Sequence, residues 1–245
     1  MKKFWLLALG SIAALLGTSC GSIGRFNYPA NEDDLEVVSR APIIPCRVGV
    51  LPFVDRREQE NHAGGLGLYL LPFMPYGYVE YYRPELGSHF VSISRFDCDP
   101  SMQFAEASAY SLRRSNLFGD AFVVQKGQVA TAELVFTGEV RNTTYRGRIF
   151  TYGITPFLCW AMWLVGFPEG NSANQLEVKF TISRPGNPKA YWEYSYKNDD
   201  WLVHWIYYNS GSDVDMYAAM YQDAMNLAIG DLKGRLHRNP NLFQN

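Results

Sequence analysis

Two stretches of this 245-residue chain carry a long helical period, and nearly every other patterned stretch reads as strand. The first opens at Asp99-Pro100, a good N-cap followed by a proline that fits the first helical position. Met102, Ala105, Ala109 and Leu112 make one face. Arg113 and Arg114 suit the C-terminal dipole, and Asn116 can close the helix. The second has Ser212 as its cap, Asp213 and Asp215 in its first turn, and a stripe of Tyr217, Tyr221, Met225, Ala228, Leu232 and Leu236. Strands are expected at 47–53, 89–96, 121–125, 134–148 (bent near Asn142), 176–183, 190–196 and 201–208. Arg184-Pro-Gly-Asn-Pro188 is a turn sequence between two of them. Two helices cannot cover both faces of a large sheet. The predicted fold is therefore an α+β sandwich, with a mixed, largely antiparallel sheet and two main helices packed on one face.

The start of the chain has a different character. Lys2 and Lys3 precede an uncharged, mostly apolar stretch from Phe4 to Leu16, then the small residues Gly17, Thr18 and Ser19, then Cys20. This is the layout of a secretory signal, with an apolar part too short to span a bilayer comfortably. Small residues before a cysteine resemble the bacterial lipobox, although Gly17 stands where that motif usually has Leu. The resemblance implies a thioether-linked diacylglycerol and an acylated amine on Cys20. Ordinary signal cleavage after Gly17-Thr18-Ser19 is the alternative. Gly21 stands where an Asp often retains lipoproteins at the inner membrane, which leans the localisation toward the outer membrane, facing the periplasm.

Residues 1–19 are thus read as a signal peptide and 20–41 as a lipidated N-terminus and flexible tether, polar and acidic at Glu32-Asp33-Asp34. Residues 42–237 form one domain with insertions at about 54–88 and 149–169, and 238–245 a loose tail. Loss of the signal removes two lysines and leaves 20 basic against 24 acidic residues. That balance carries no electrostatic footprint for nucleic acid. Three cysteines follow Cys20. Three cannot all pair within one chain; Cys46 precedes the first strand and Cys98 the first helix, so a Cys46–Cys98 disulfide is open to an exported chain.

The two insertions are apolar. The first is rich in Gly, Pro and Tyr and includes Leu70, Leu71, Phe73 and Met74. The second holds 18 uncharged residues from Phe150 to Phe167, with Phe157, Trp160, Trp163 and Leu164. Gly153, Pro156 and Gly166 argue against a regular span. A buried short helix or hairpin, or a segment touching lipid or a partner, are the readings that remain. Both insertions are candidate partner or membrane contacts.

Three segments occur in a familiar order: Val48-Gly-Val-Leu-Pro-Phe53 followed by Asp55-Arg56-Arg57, a helix ending in Asn116-Leu-Phe-Gly-Asp120, and Ala132-Glu-Leu-Val-Phe-Thr-Gly-Glu-Val140. This order resembles envelope lipoproteins with a domain like the TolB amino-terminal domain, a group that includes CsgG-type secretion lipoproteins and auxiliary lipoproteins of ABC-type transport systems. The resemblance implies an accessory role in envelope transport or assembly, exercised through protein contacts, with no catalytic residue to carry over.

Catalytic constellations are scarce. His62, His89, His204 and His237 are scattered and form no zinc-hydrolase spacing, and neither a nucleophile elbow nor a phosphate-binding loop occurs. No cofactor or metal site is expected. The favoured function is a non-enzymatic, membrane-anchored docking or accessory subunit with envelope protein partners, and a homo-oligomer is compatible with it. A CsgG-type pore would need amphipathic hairpins at 66–82 and 148–168. A glycan-acting hydrolase would draw on paired carboxylates, Asp97 with Asp99 or Asp199 with Asp200.

Overall fold

The computed structural model describes residues 22–37, 41–58, 61, 64–65, 71, 73–124, 131–154, 156–187 and 189–243, apart from the side chains of Pro156 and Phe157. The spine is β9 (Gly170–Ser183), a 14-residue strand whose side chains alternate between a fully buried and a half-buried face. Along one edge it pairs antiparallel with β10 (Trp192–His204). Along the other it meets β7 (Leu134–Asn142) and then β8 (Tyr145–Phe150), both antiparallel. β7 and β8 are one strand broken at Thr143-Thr144, where the Asn142 carboxamide accepts from the backbone N–H and hydroxyl of Thr144. The bend expected near Asn142 is this Asx-type interruption.

β2 (Ile44–Val50) and the two-residue β3 (Val54–Asp55) run parallel to β7, and β6 (Phe118–Val123) runs parallel to β2. β4 (Tyr76–Tyr81) pairs antiparallel with β8. A separate parallel pair joins β1 (Ile23–Arg25) to β5 (Arg95–Asp97). The sheet is mixed and largely antiparallel, as expected.

Helices α1 (Pro100–Arg114) and α3 (Met216–Arg238) lie on one face. The Asp99 carboxylate caps α1 by accepting from the N–H groups of Ser101 and Met102, and Asn116 follows its end in the left-handed region at φ 53°. The stripe from Tyr217 to Leu236 is buried throughout. The two helices and the sheet meet in an aromatic centre. Phe104 and Tyr221 stack at 4.4 Å, and Phe53 and Phe180 pack around them. Each such ring contributes about 2–3 kcal/mol by leaving water.

Several expectations change. Residues 22–37 are not a flexible tether. Phe26 and Leu35 are buried, and Gln222 and Asn226 of α3 hydrogen-bond the backbone of Asn31, Asp34 and Glu36. The strands expected at 190–196 and 201–208 merge into β10, because Asp199 and Asp200 continue the pairing with Gln175 and Asn174 instead of turning. Of the strand expected at 89–96 only the end forms, since Val91 and Ser92 give their N–H groups to the Asp213 carboxylate. Met102 is exposed, and Phe104 takes its place on the buried face of α1.

Cys46 and Cys98 are free thiols. Cys46 feels the charges of Glu133 and Arg184, whereas Cys98 lies among Arg57, Glu85 and Phe104, so the two share no surroundings. Burial, then nearby carboxylates, push both thiols above their ordinary pKa.

Candidate functional site

The two apolar insertions meet at one end of the sheet. Tyr76 at the start of β4 is paired with Phe150 at the end of β8. The Thr151 hydroxyl donates to the Met74 carbonyl, and the N–H groups of Thr151 and Tyr152 donate to Pro75. Next comes α2 (Pro156–Leu164), a nine-residue helix with no charged residue. Cys159 and Trp163 are its buried side, and the Trp163 indole N–H donates to the Phe150 carbonyl at 3.0 Å. Leu158, Trp160 and Leu164 face outward.

The helix ends in a Schellman motif. Gly166, at φ 98°, donates to Trp163, and Phe167 donates to Met162. Beyond it Val165 is 73% exposed. A third segment joins from the far side, the tight turn Trp205–Tyr208 that follows β10, closed by mutual backbone bonds between those two residues. The hydroxyl of Tyr207 reaches the Leu164 carbonyl at 2.9 Å.

The result is an uncharged platform. Leu71, Phe73, Tyr76, Leu158, Trp160, Leu164, Phe167, Tyr207 and Tyr208 are exposed on it. Phe73 is 88% exposed and sits at φ 68°, a backbone region that bulky residues rarely occupy. No charged residue occurs in 71–79, 150–168 or 201–212, although Asp, Glu, Lys and Arg make up 19% of the chain. Apolar surface gathered in this way marks a contact with something other than water. No helix among the described residues is long and apolar enough to cross a membrane.

Of the residues expected at a contact surface, Leu71, Phe73, Trp160 and Leu164 are exposed there. Met74 is half-buried beside them, and Trp163 serves as the helix's buried anchor. Leu70 and Cys20 lie outside the described residues, as does the side chain of Phe157. Leu158, Val165 and Phe167 belong to the expected 150–168 segment without being singled out in it, and outside both insertions the platform gains Tyr207 and Tyr208. The signal that could have found the last two is the uncharged, aromatic run from Trp201 to Ser212.

Beneath the platform lies a buried polar layer. The Asp213 carboxylate accepts from the N–H groups of Val91 and Ser92, from the Ser92 hydroxyl, and from the Tyr145 phenol at 2.6 Å. Asp213 is thus a hub rather than a helix-dipole residue. Its charge, after desolvation, drives the Tyr145 pKa well above the ordinary value. His204 and Ser172, both fully buried, meet at 2.8 Å. The Asn209 carbonyl can only accept, so His204 Nδ1 carries a proton, and in the neutral ring Nε2 accepts the Ser172 hydroxyl. A hydroxyl–imidazole pair is the chemistry of a nucleophile, yet here it clamps β9 to β10 under the platform. Glu169, next to it, has one buried oxygen without a partner. Desolvation raises its pKa against the pull of Ser210 and His204.

A second buried cluster explains the Asp55-Arg56-Arg57 motif. The Arg57 guanidinium, 2% exposed, bonds Asp55 and Glu85 and donates to the Thr143 hydroxyl at 2.6 Å. Desolvation favours neutral Asp55, but the hydrogen bonds and charge of Arg57, with Arg83 behind them, outweigh it and hold the carboxyl below its ordinary pKa. The void beside this cluster, about 10 Å³, has no room for a ligand.

The alternative functions fare unevenly. Residues 156–164 are helical, so 148–168 does not supply the alternating hairpin a pore requires. Of the two carboxylate pairs, Asp99 caps α1 beside Asp97, and Asp199 and Asp200 continue the ladder of β10 with β9. Among the described residues no group of three or more His, Cys, Asp or Glu could hold a metal ion.

No protein-family model matches the chain, and no curated protein matches it. Solved structures similar to it include a Xanthomonas campestris protein of the DUF330 family model, 9% identical over 87% of this chain and 93% of that one, with a TM-score of 0.42. A PelC dodecamer from Paraburkholderia phytofirmans is 8% identical over 80% of this chain and 93% of that one, with a TM-score of 0.36. A hypothetical protein of Chlamydia trachomatis is 13% identical over 80% and 99%, also with a TM-score of 0.36. At these scores the likenesses assign no function.

Proposed function

We propose that this chain is a non-enzymatic lipoprotein, anchored through Cys20 to the periplasmic face of the outer membrane. There it serves as an accessory subunit of an envelope transport or assembly complex. The observation that carries this reading is the position of the ordered N-terminus. Ser22, two residues after the lipobox-like Cys20, is bonded to Ser92 and Ser94, at the end of the sheet that bears the uncharged platform. A lipid at Cys20 would emerge beside segments that carry no charged residue. The rest of the body is a scaffold whose buried polar clusters fix its elements to one another, as suits a docking module. The resemblance to TolB-like and CsgG-like lipoproteins supplies the envelope setting.

The test has two arms. In a diderm host, a clickable palmitate analogue should label the wild type and not Cys20→Ala. Label persisting in the variant removes the anchor. Reciprocal tagged capture after crosslinking in the native cells should then return one envelope partner in stoichiometric yield. Labelled protein that returns only copies of itself removes the accessory role.

A further inference from the structure

We infer that the platform of α2, Leu71 with residues 73–76, and the 205–208 turn is a lipid-contacting surface. It seats in the interface of the same bilayer that holds Cys20, so that the domain lies on the membrane in one orientation. The inference rests on the lipoprotein reading and names the occupant of the site.

The argument is first one of reach. Two peptide links separate Cys20 from Ser22, so their Cα atoms are at most about 7.6 Å apart. A diacylglyceryl cysteine is held at the hydrocarbon boundary by its acyl chains, and the polar zone above that boundary is about 6 Å deep on each side of a bilayer. Ser22 is therefore held within the headgroup zone or no more than about 2 Å beyond its outer edge. Its position in the fold is fixed. Its hydroxyl donates to the Ser92 carbonyl, its carbonyl accepts from Ser94, and Gly211 lies against it, close enough that a Cβ there would sit 3.9 Å from the Ser22 hydroxyl oxygen. Gly211 in turn donates to the Ser92 hydroxyl at 2.8 Å. Gly211 is three residues from Tyr208, about 11 Å of backbone at most. Whatever holds Cys20 at the bilayer keeps the 205–208 turn, whose Tyr208 is within about 11 Å of Gly211, and the helix end bonded to it by Tyr207, near the same membrane face.

Surface chemistry agrees. A water-facing or loosely tethered surface would share the charge found elsewhere on the chain, and this one has none across its three segments. Its makeup is that of an interface seat: exposed aliphatic Leu158, Leu164 and Val165, together with Trp160, Tyr207 and Tyr208, whose rings carry a polar edge. Arg148, exposed on β8 and stacked over Tyr76 at 5.4 Å, sits beside the platform where lipid phosphates would lie. Helices that lie in the interface bury their apolar side about 5–10 Å into the headgroup–acyl boundary, which the outward side of α2 can do without crossing the bilayer.

The test reads depth at two exposed leucines. Leu164 is on the platform (59% exposed) and Leu227 is on the outer side of α3 (55% exposed). The processed full-length protein would be reconstituted in phosphatidylethanolamine–phosphatidylglycerol vesicles whose acyl chains carry bromine near the headgroup. The added fluorescence in Leu164→Trp should be quenched several-fold more than that in Leu227→Trp, and Trp160→Phe should lose part of the quenching seen in wild type. Equal, weak quenching at both positions, with free access to acrylamide in water, overturns the inference. Shielding of Leu164→Trp from acrylamide in vesicle-free protein also overturns it, assigning the surface to a second copy of the chain. Mass analysis of the N-terminus separates the two readings. An acylated Cys20 without quenching sinks the platform inference alone. Quenching with an unmodified Cys20, when the protein is mixed with vesicles, sinks the lipidation alone.

Discussion

Gly138 is the point where two separated motifs prove to be one contact. A Cβ on Gly138 would overlap the ring of Phe53, so the glycine of Val135-Phe-Thr-Gly138 is the seat for the aromatic that follows Pro52. The strand pattern places both segments in the sheet, but only the pairing of β3 with β7 shows that one residue exists for the other. Gly138→Ala should cost about 1–3 kcal/mol, the range for forcing atoms into a filled core. Urea denaturation of Gly138→Ala, Phe53→Leu and the double variant should show the second change recovering part of the loss, a coupling that independent sites would lack. Glu169 makes a different residue-scale prediction. Its folded pKa lies above the usual 4.5 because burial, the leading cause, disfavours the anion. The folded state therefore binds this proton more readily than the unfolded chain does. The stability it contributes is greatest below the unfolded pKa and falls as pH rises through the folded one. Glu169→Gln has no such loss, so its advantage over wild type in denaturant midpoint should be small at pH 4 and larger at pH 7.5. An advantage independent of pH would show that the carboxylate finds compensation.

At the scale of elements, what the sequence disclosed and what it withheld follow local and distant causes. α1 is readable because its signals are local: Asp99 caps it, Pro100 starts it, and Asn116 closes it. The stripe of α3 is readable for the same reason, as is the break between β7 and β8 at Asn142. The segment at 89–96 alternates like a strand but fails as one, because the partner that takes its N–H groups is Asp213, more than a hundred residues away. The supposed tether misleads in the same way. Its polarity suggested a loose chain, and its order comes from the side-chain amides of Gln222 and Asn226 on α3. Helix α2 is a middle case. Its apolarity gave the segment away, while its form depends on a terminator. Gly166 at φ 98° has open space around it, so an added methyl meets no atom but forces a left-handed backbone on an L-residue. Gly166→Ala should cost about 1–2 kcal/mol and fray the end of α2 that carries Leu164. Amide exchange at Gly166→Ala should quicken at Val165 and Phe167, whose N–H groups are bonded back into the helix, and stay unchanged in α3.

In the proposed arrangement the molecule as a whole joins an α/β body to a membrane through a short link, and the order of residues 22–37 is what makes the link short. If they were loose, the lipid would hold a body free to tumble, and the platform would meet the bilayer only by its own affinity. With Ser22 pinned to Ser92 and Ser94, the proposed anchor and platform would act as two connected binding elements. The second then engages at an effective concentration set by the length of chain between them. The reading from sequence alone, an anchor and two apolar segments, contained all the parts but not this connection. It depends on β1 pairing with β5 and on Gly211 closing against Ser22. The connection can be cut without touching either part. Twelve Gly/Ser residues inserted between Gly21 and Ser22 would have a root-mean-square span of about 20 Å, enough to lift the body out of the headgroup zone while Cys20 stays in place. The inserted chain should still float with vesicles in a density gradient, since acylation is untouched. The brominated-lipid quenching of Leu164→Trp should fall, and tryptic cleavage near the platform should quicken. Quenching as strong as in the uninterrupted chain would mean that the platform holds the bilayer by itself, with the anchor adding residence but no orientation.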